Sequence, residues 1–305
     1  MHVRLLGTAA GGGFPQWNCG CLNCRTARSD PRRAVARMQT CVAVSADGRR
    51  WFLVGASPDI RSQIESFPPL RGNGSVRGSA LEGILLAGAD LDHVLGLFVL
   101  REASRLCILA TTAVRRSVRE GLRLDVVLTR YCRLEWLEPP DRLTPLRLAD
   151  GSPSGLLLEA FPAPGKPPRY REGSADPDPG DCVGYLVEDQ QTRGRLAILP
   201  GVAAIDAPIL RRLHGCDAVL IDGTFWSEHE LSEVGAGNTP ASEMGHLPVG
   251  GPGGSLGLVA QLPARRKIYL HINNTNPILL EDSPQRKEVE AAEIEVGWDG
   301  LGLVL

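Results

Sequence analysis

Three cysteines fall within six residues near the start of the chain, in the run Cys19-Gly20-Cys21-Leu22-Asn23-Cys24. Three soft sulfur donors this close suit a tetrahedral zinc ion, which needs one more ligand. Reading them as redox-active or incidental cysteines leaves the spacing unexplained. No further Cys or His lies close by in sequence, so the fourth ligand has to come from far along the chain. His271 and the Asn273/Asn274 pair are the candidates, with Asn274 or His271 expected to complete the site. Any fold for this chain must then lay its glycine-rich amino-terminal loop against a late strand end. Such a clamp is structural, because metal binding across distant segments is coupled to folding.

The other five cysteines (Cys41, Cys107, Cys132, Cys182 and Cys216) sit singly in apolar surroundings and read as core-filling residues. Charge is nearly balanced, with 33 Lys+Arg against 35 Asp+Glu, which argues against a nucleic-acid surface. The best apolar stretch, Leu81 to Leu100, is interrupted by Glu82, Asp90, Asp92 and His93, so no membrane segment is expected. The opening residues lack a long enough apolar run for a signal peptide, and a cytoplasmic location is expected. With 35 Gly and 23 Pro among 305 residues, a loop-rich fold is favoured over a helix bundle.

Strand and helix signals alternate in both halves of the chain. Val3 to Gly7 reads as a strand entering Gly11-Gly12-Gly13, and Asp47-Gly48 marks a hairpin between Thr40–Ser45 and Arg50–Val54. Ser57-Pro58-Asp59 looks like a helix start. Ile84 to Ala87 reads as a buried strand followed by a helix from Asp92 to Ser104, and a second strand-helix pair spans Leu106–Ala110 and Ala113–Gly121. Further strands are expected at 134–137, 156–161, 183–188, 195–199, 218–221 and 267–272, with helices at 207–213, 255–261 and 284–292. Pro162 to Asp181 and Ser227 to Gly254 are expected to be long irregular loops. The pattern fits one α/β domain over residues 1–305, built as sheets covered by helices.

Polar residues at the strand ends carry the chemistry. Ala87-Gly88-Ala89-Asp90-Leu91-Asp92-His93 stands where a buried strand meets a helix, the place where layered α/β folds commonly bind ligands. Asp90 could simply cap the helix, but Asp92 and His93 together need a partner among apolar neighbours. Asp222 ends Val219-Leu220-Ile221, His246 lies in Met244-Gly245-His246, and His271 ends Lys267-Ile268-Tyr269-Leu270. Singly each reads as structural. Together they supply imidazole and carboxylate from separate strand ends, which is a metal-site pattern. His2, His214 and His229 have no such setting and read as surface residues.

These residues give the chain a resemblance to the metallo-β-lactamase superfamily, whose T-H-x-H-x-D-H motif falls on Ala87 to His93 and whose later metal-binding acid and histidine fall on Asp222 and His271. More narrowly it resembles the PqqB family of pyrroloquinoline quinone (PQQ) biosynthesis. That resemblance rests on Leu5–Gly7, Gly11-Gly12-Gly13-Phe14-Pro15-Gln16-Trp17-Asn18-Cys19, Gly55-Ala56-Ser57-Pro58-Asp59-Ile60, Leu91-Asp92-His93 with Gly96-Leu97, Ile221-Asp222-Gly223-Thr224-Phe225-Trp226, Met244-Gly245-His246, and Leu270 to Pro277. It implies an αββα sandwich with zinc on Cys19, Cys21 and Cys24.

Departures from the hydrolase motif shape the expected chemistry. Gly88 and Asp90 replace two of its histidines, and no histidine lies between His93 and His214. A two-metal hydrolytic centre is therefore disfavoured. Asp92, His93 and His271, with Asp222 and Asp90 completing or orienting the set, would suit a single non-haem Fe(II). The resemblance implies iron-dependent hydroxylation of the tyrosine moiety in a Glu-Tyr-derived PQQ precursor, with His246 and Asp90 as acid or base groups. The alternative it implies is a soluble carrier that moves PQQ or its precursor towards the periplasm, holding the acidic ligand through arginines such as Arg169, Arg171 or Arg193. The expected partners are that small precursor and other PQQ biosynthesis proteins, with a homodimer among the assemblies allowed.

Overall fold

The computed structural model describes residues 1–72, 74, 76–173 and 176–305. The chain alternates buried strands with short capped helices, in two sheets. The first is built from β1 (His2–Gly7), β2 (Cys41–Ser45), β3 (Trp51–Val54), β4 (Leu81–Leu85), β5 (Arg105–Leu109) and β6 (Arg133–Leu137). The second holds β7 (Thr144–Arg147), β8 (Pro153–Pro162), β9 (Val183–Asp189), β10 (Arg195–Leu199), β11 (Ala218–Asp222), β12 (Arg266–Leu270) and β13 (Glu295–Val296). The last strand, β14 (Gly302–Val304), returns to the first sheet and pairs with β1. Spatial orders are β14-β1-β2-β3-β4-β5-β6 and β13-β12-β11-β10-β9-β8-β7.

Each sheet is antiparallel in one part and parallel in the other. Strands β3 to β6 run parallel in the first sheet, and β10 to β13 in the second. Alternation along the strands explains the layering. Val42 and Val44 face inward with Tyr185, Val187, Leu220 and Ile268 of the other sheet, forming the apolar layer between the sheets. The opposite faces are covered by helices. Ile84 and Ile108 pack on Val94, Leu97 and Val114, while Val219 and Tyr269 share a cluster with Ile209, Val259 and Val289. The result is the helix–sheet–sheet–helix sandwich expected from the sequence.

Local signals set several helix starts. Asp206 caps Ala207–Leu213 by accepting from Ile209 N at 2.9 Å, and Ser283 caps Pro284–Ala291 through Arg286 N at 3.0 Å. Asp47 closes the β2–β3 hairpin by accepting from the N–H groups of Arg49 and Arg50. Asp59 behaves otherwise: its carboxylate accepts from Gln39 N and Nε2, so the helix begins only at Ile60 without a side-chain cap.

The expected helix over 92–104 is broken into Leu91–Val94, Gly96–Val99 and a 3-10 turn at Leu100–Glu102. A crossing segment causes the break. Ala56 N donates to His93 O at 2.8 Å, and Gly96 N donates to Ala56 O at 2.8 Å, so both groups leave the helical ladder. A Cβ at Gly96 would stand 2.3 Å from Ser57 O, which only glycine avoids. Two short helices were not anticipated, Leu22–Ser29 and Leu124–Leu128, and the 227–254 loop contains one at Glu230–Glu233. The loop expected over 162–181 is irregular with one 3-10 turn at Arg169–Arg171, and its residues 174 and 175 lie outside the described residues. Among the described residues, no helix is long and apolar enough to cross a membrane.

Candidate functional site

The carboxyl ends of the parallel strands converge on one cleft of about 1030 Å³. The segment after β4 brings Asp90, Asp92 and His93; β11 ends in Asp222; and His271 follows β12. His271 holds a left-handed backbone, φ 56°, a strained conformation outside glycine. Neighbours over-determine it: Ile272 N donates to Thr8 O and Asn273 N to Thr224 O.

His271 is the centre of the arrangement. Its Nε2 lies 3.0 Å from Asp92 Oδ2, and its Nδ1 lies 2.8 Å from Thr224 Oγ1. The Thr224 hydroxyl is 2.5 Å from Asp222 Oδ1 and has one hydrogen. When that hydrogen goes to Asp222, His271 Nδ1 is the donor to Thr224. Nε2 then faces Asp92 with either a proton or a cation between them. The ring stacks between those of His93 (centroids 5.2 Å apart) and His246 (5.4 Å). Gly55, at φ 81°, leaves the space beside His93 Nδ1 that a side chain would fill.

Asp92, His93 and His271 offer ligand atoms within 4.8 Å of one another, and so do Asp222, His246 and His271. Asp222 is the more heavily engaged carboxylate. It accepts from Val202 N (3.0 Å), Thr224 N (3.0 Å) and Thr224 Oγ1, and its Oδ2 lies 2.6 Å from His246 Nδ1. Four partners use its lone pairs, so here it orients Thr224 and His246. Asp92 Oδ2 likewise faces His271 Nε2, and each carboxylate stands in a group able to hold a metal.

Charge coupling is strong. Burial opposes ionisation of Asp92, but His93 and His271 outweigh it and hold the carboxyl far below its usual range. Burial likewise opposes ionisation of Asp222, which His246, His271 and Thr224 pull below the ordinary value. Burial lowers His93, and the other two imidazoles add to it against the pull of Asp92 and Asp222, a balance that favours the neutral, ligating form. His271 is raised in spite of burial because it bonds Asp92. Asp90 opens onto the cleft, yet its deep setting and the adjacent Asp92 charge push it up to about 6, against the pull of His246, His271 and Lys166.

The cysteine cluster forms a separate site. Cys19, Cys21 and Cys24 bring their sulfurs within 4.8 Å of one another. Asn274 Nδ2 stands 3.2, 3.7 and 3.4 Å from the three sulfurs in turn. Of the two expected fourth partners, Asn274 therefore meets the cysteines; His271 does not, because its ring nitrogens face Asp92 and Thr224. Turning the Asn274 amide would present its oxygen to the same point. Burial pushes Cys24 up to about 12, whereas at Cys19 hydrogen bonds from Cys21, Cys24 and Asn274 outweigh burial and lower the pKa. Three thiolates here need a cation to coexist, so the donor set fits zinc. Asn23 Nδ2 links the loop to the carbonyls of Asn274 and Asn276, while Asn276 Nδ2 donates to Gly223 O, directly before Thr224.

Sequence reasoning missed several residues. Thr224, fixed between two site residues, was legible only as the residue two positions past a strand end. Lys166, Tyr170 and Phe225 line the cleft, and so does Cys182, which corrects the expectation of a purely core-filling cysteine there. Of the three arginines expected to hold an acidic ligand, Arg169 lines the cleft. Arg171 instead pairs with Glu120 at 3.2 Å, and Arg193 with Glu188 at 2.6 Å. His2, His214 and His229 are exposed, as expected.

A second cavity, of about 400 Å³, adjoins the cysteine loop and is bordered by Glu230, which carried no sequence signal. Glu230 is buried, accepts from Trp226 N (2.6 Å) and Thr275 Oγ1 (2.5 Å), and burial pushes its pKa up to about 7 from 4.5. The native state therefore holds the proton more tightly than the unfolded chain. Between pH 4.5 and 7 stability falls as pH rises, by about 2–3 kcal/mol in total. Glu230→Gln is expected to raise the melting temperature clearly at pH 8 and little at pH 5. Equal gains at both pH values would refute this reading.

The comparisons with known proteins agree with this geometry. Residues 50–272 match the family model described as the beta-lactamase superfamily domain, which defines the class. Coenzyme PQQ synthesis protein B of Azotobacter vinelandii is 43% identical over 306 residues, and that of Pseudomonas fluorescens (strain Pf0-1) is 41% identical over 318, each alignment covering both chains completely. The crystal structure of Zn(2+)-bound PqqB from Methylobacterium extorquens superposes with a TM-score of 0.90 at 36% identity, covering all of both chains. The chain belongs to the coenzyme PQQ synthesis protein B family.

Proposed function

We propose that this chain serves PQQ biosynthesis as a mononuclear non-haem iron oxygenase that hydroxylates the tyrosine moiety of a Glu-Tyr-derived precursor. The observation that carries this reading is the meeting of one carboxylate and two imidazoles, Asp92, His93 and His271, on the floor of a large cleft. That donor set with open positions suits ferrous iron. Bound there, iron would supply the activation of dioxygen. Hydroxylation places one oxygen atom in a ring C–H bond and releases the other as water, with two electrons and two protons from an external reductant of the ascorbate class.

The chain's own residues would prepare that step. Thr224 holds His271 Nδ1 and thereby aims Nε2 at the metal position. Asp222 holds His246 Nδ1, leaving Nε2 to exchange a proton with the phenol. Asp90, shifted towards neutrality, offers a second proton-exchanging group at the cleft. Phe225 and Tyr170 line the walls that would receive an aromatic ring. Zinc on Cys19, Cys21 and Cys24 would clamp the amino-terminal loop to Asn274, three residues from His271.

A second reading, a soluble carrier that binds PQQ or its precursor without turnover, draws on the same cleft and its basic side chains. Oxygen uptake separates the two. Protein loaded anaerobically with ferrous iron is expected to consume dioxygen with precursor and ascorbate and to yield a hydroxylated product, whereas zinc-loaded protein stays silent. Precursor binding without iron-dependent uptake would overturn the oxygenase and leave the carrier.

A further inference from the structure

The cleft floor carries Asp90, Asp92 and the imidazoles, and its loops add Glu172 and Glu243; among the described residues the only lysine and arginine lining it are Lys166 and Arg169, both on the proline-rich segment between β8 and β9. The Lys166 stem runs across to the opposite loop: a Cβ at Gly245, beside His246, would stand 3.4 Å from Lys166 Cγ. Gly245 adopts φ 85°, so glycine both permits that turn and leaves room for the stem. Lys166 Nζ pairs with Glu172 Oε1 at 2.7 Å, with the two side chains 36% and 45% exposed. So exposed a pair is weak and easily exchanged. The Arg169 guanidinium is exposed and, among the described residues, makes no side-chain hydrogen bond or close ion pair, although its charge acts on Glu172.

We propose that Lys166 and Arg169 form a carboxylate-recognition pair that selects multiply acidic aromatic ligands, with Glu172 occupying Lys166 until a ligand carboxylate displaces it. The inference rests on the reading of this cleft as the site of an acidic PQQ precursor. Arginine presents a fork matched to a carboxylate and lysine a compact charge, so together they fix two acid groups at the mouth. The aromatic body then lies along Tyr170 and Phe225, with its reactive edge towards Asp92, His93 and His271.

Fluorescence titration of the metal-loaded full chain with PQQ, a tricarboxylic quinone, and with its trimethyl ester tests the proposal. Wild type is expected to prefer the acid. Lys166→Gln with Arg169→Gln should weaken PQQ binding roughly 10- to 100-fold and leave ester binding unchanged. Glu172→Gln, which frees Lys166, should tighten PQQ binding a few-fold. A double variant within two-fold of wild type, equal losses for acid and ester, or wild type that binds neither compound would overturn the inference. Absence of oxygen uptake with the acid preference intact would sink only the oxygenase reading.

Discussion

Chain carrying Asp92→Ala together with His93→Ala is expected to keep one zinc and lose its second metal after anaerobic expression with added iron. Removing an outer partner of a metal ligand commonly weakens affinity 10- to 100-fold, so deleting two direct ligands should exceed about 1,000-fold. The fold should survive, because the acid and the base leave together. His271, whose pKa Asp92 raises, then stays neutral against Thr224. Removing Asp92 also relieves the repulsion that helps hold Asp90 high. Oxygen uptake with precursor should fall to background in this variant. Metal analysis checks the outcome directly: two metals retained would refute the assignment of Asp92 and His93. Zinc alone in both the wild type and the variant would favour the carrier.

The second large effect concerns the cysteine clamp. Cys24 is fully buried, and serine is nearly isosteric, so Cys24→Ser changes the donor set with little change in packing. Zinc at such sites contributes directly to folding energy. Here the two sheets have their own apolar core, so the loss should be partial, about 3–5 kcal/mol. That corresponds to a fall of roughly 5–8 °C in melting temperature for a chain of this size. A strong chelator should lower the wild type by a similar amount and leave the variant unmoved. Unchanged zinc content and melting temperature in Cys24→Ser would refute the clamp. The bonds from Asn23 to the carbonyls of Asn274 and Asn276, and from Asn276 to Gly223, carry the disturbance towards Thr224 and His271. Slower or weaker iron loading is therefore expected to accompany zinc loss.

Much of the fold was legible because its strands are short apolar runs ending in glycine, proline or acid. The β2–β3 hairpin at Asp47-Gly48, the helix after Asp206 and the strands ending at Asp222 and Leu270 all follow from local chemistry. The helix expected over 92–104 failed because Ala56, far away in sequence, takes the His93 carbonyl. Periodicity within 92–104 holds no trace of that competitor. Strand ends likewise exposed Asp92, His93, Asp222 and His271, since polar groups there stand out against apolar neighbours. Lys166 lies in a loop and Glu230 opens a one-turn helix, and composition there says nothing about which cavity each faces.

Sequence alone determined the ligand chemistry: three thiolates on one loop, and acids and histidines at separate strand ends. It also determined that the cysteines required a distant partner. Tertiary structure decided which partner, placing the Asn274 amide on the sulfurs and turning His271 to Asp92 and Thr224. It decided too that Asp222 accepts from Val202, Thr224 and His246, while Asp92 faces His271. The reason is geometric. Residue type and spacing fix what a side chain can bond, but strand order and backbone direction fix which groups arrive within 3 Å of it.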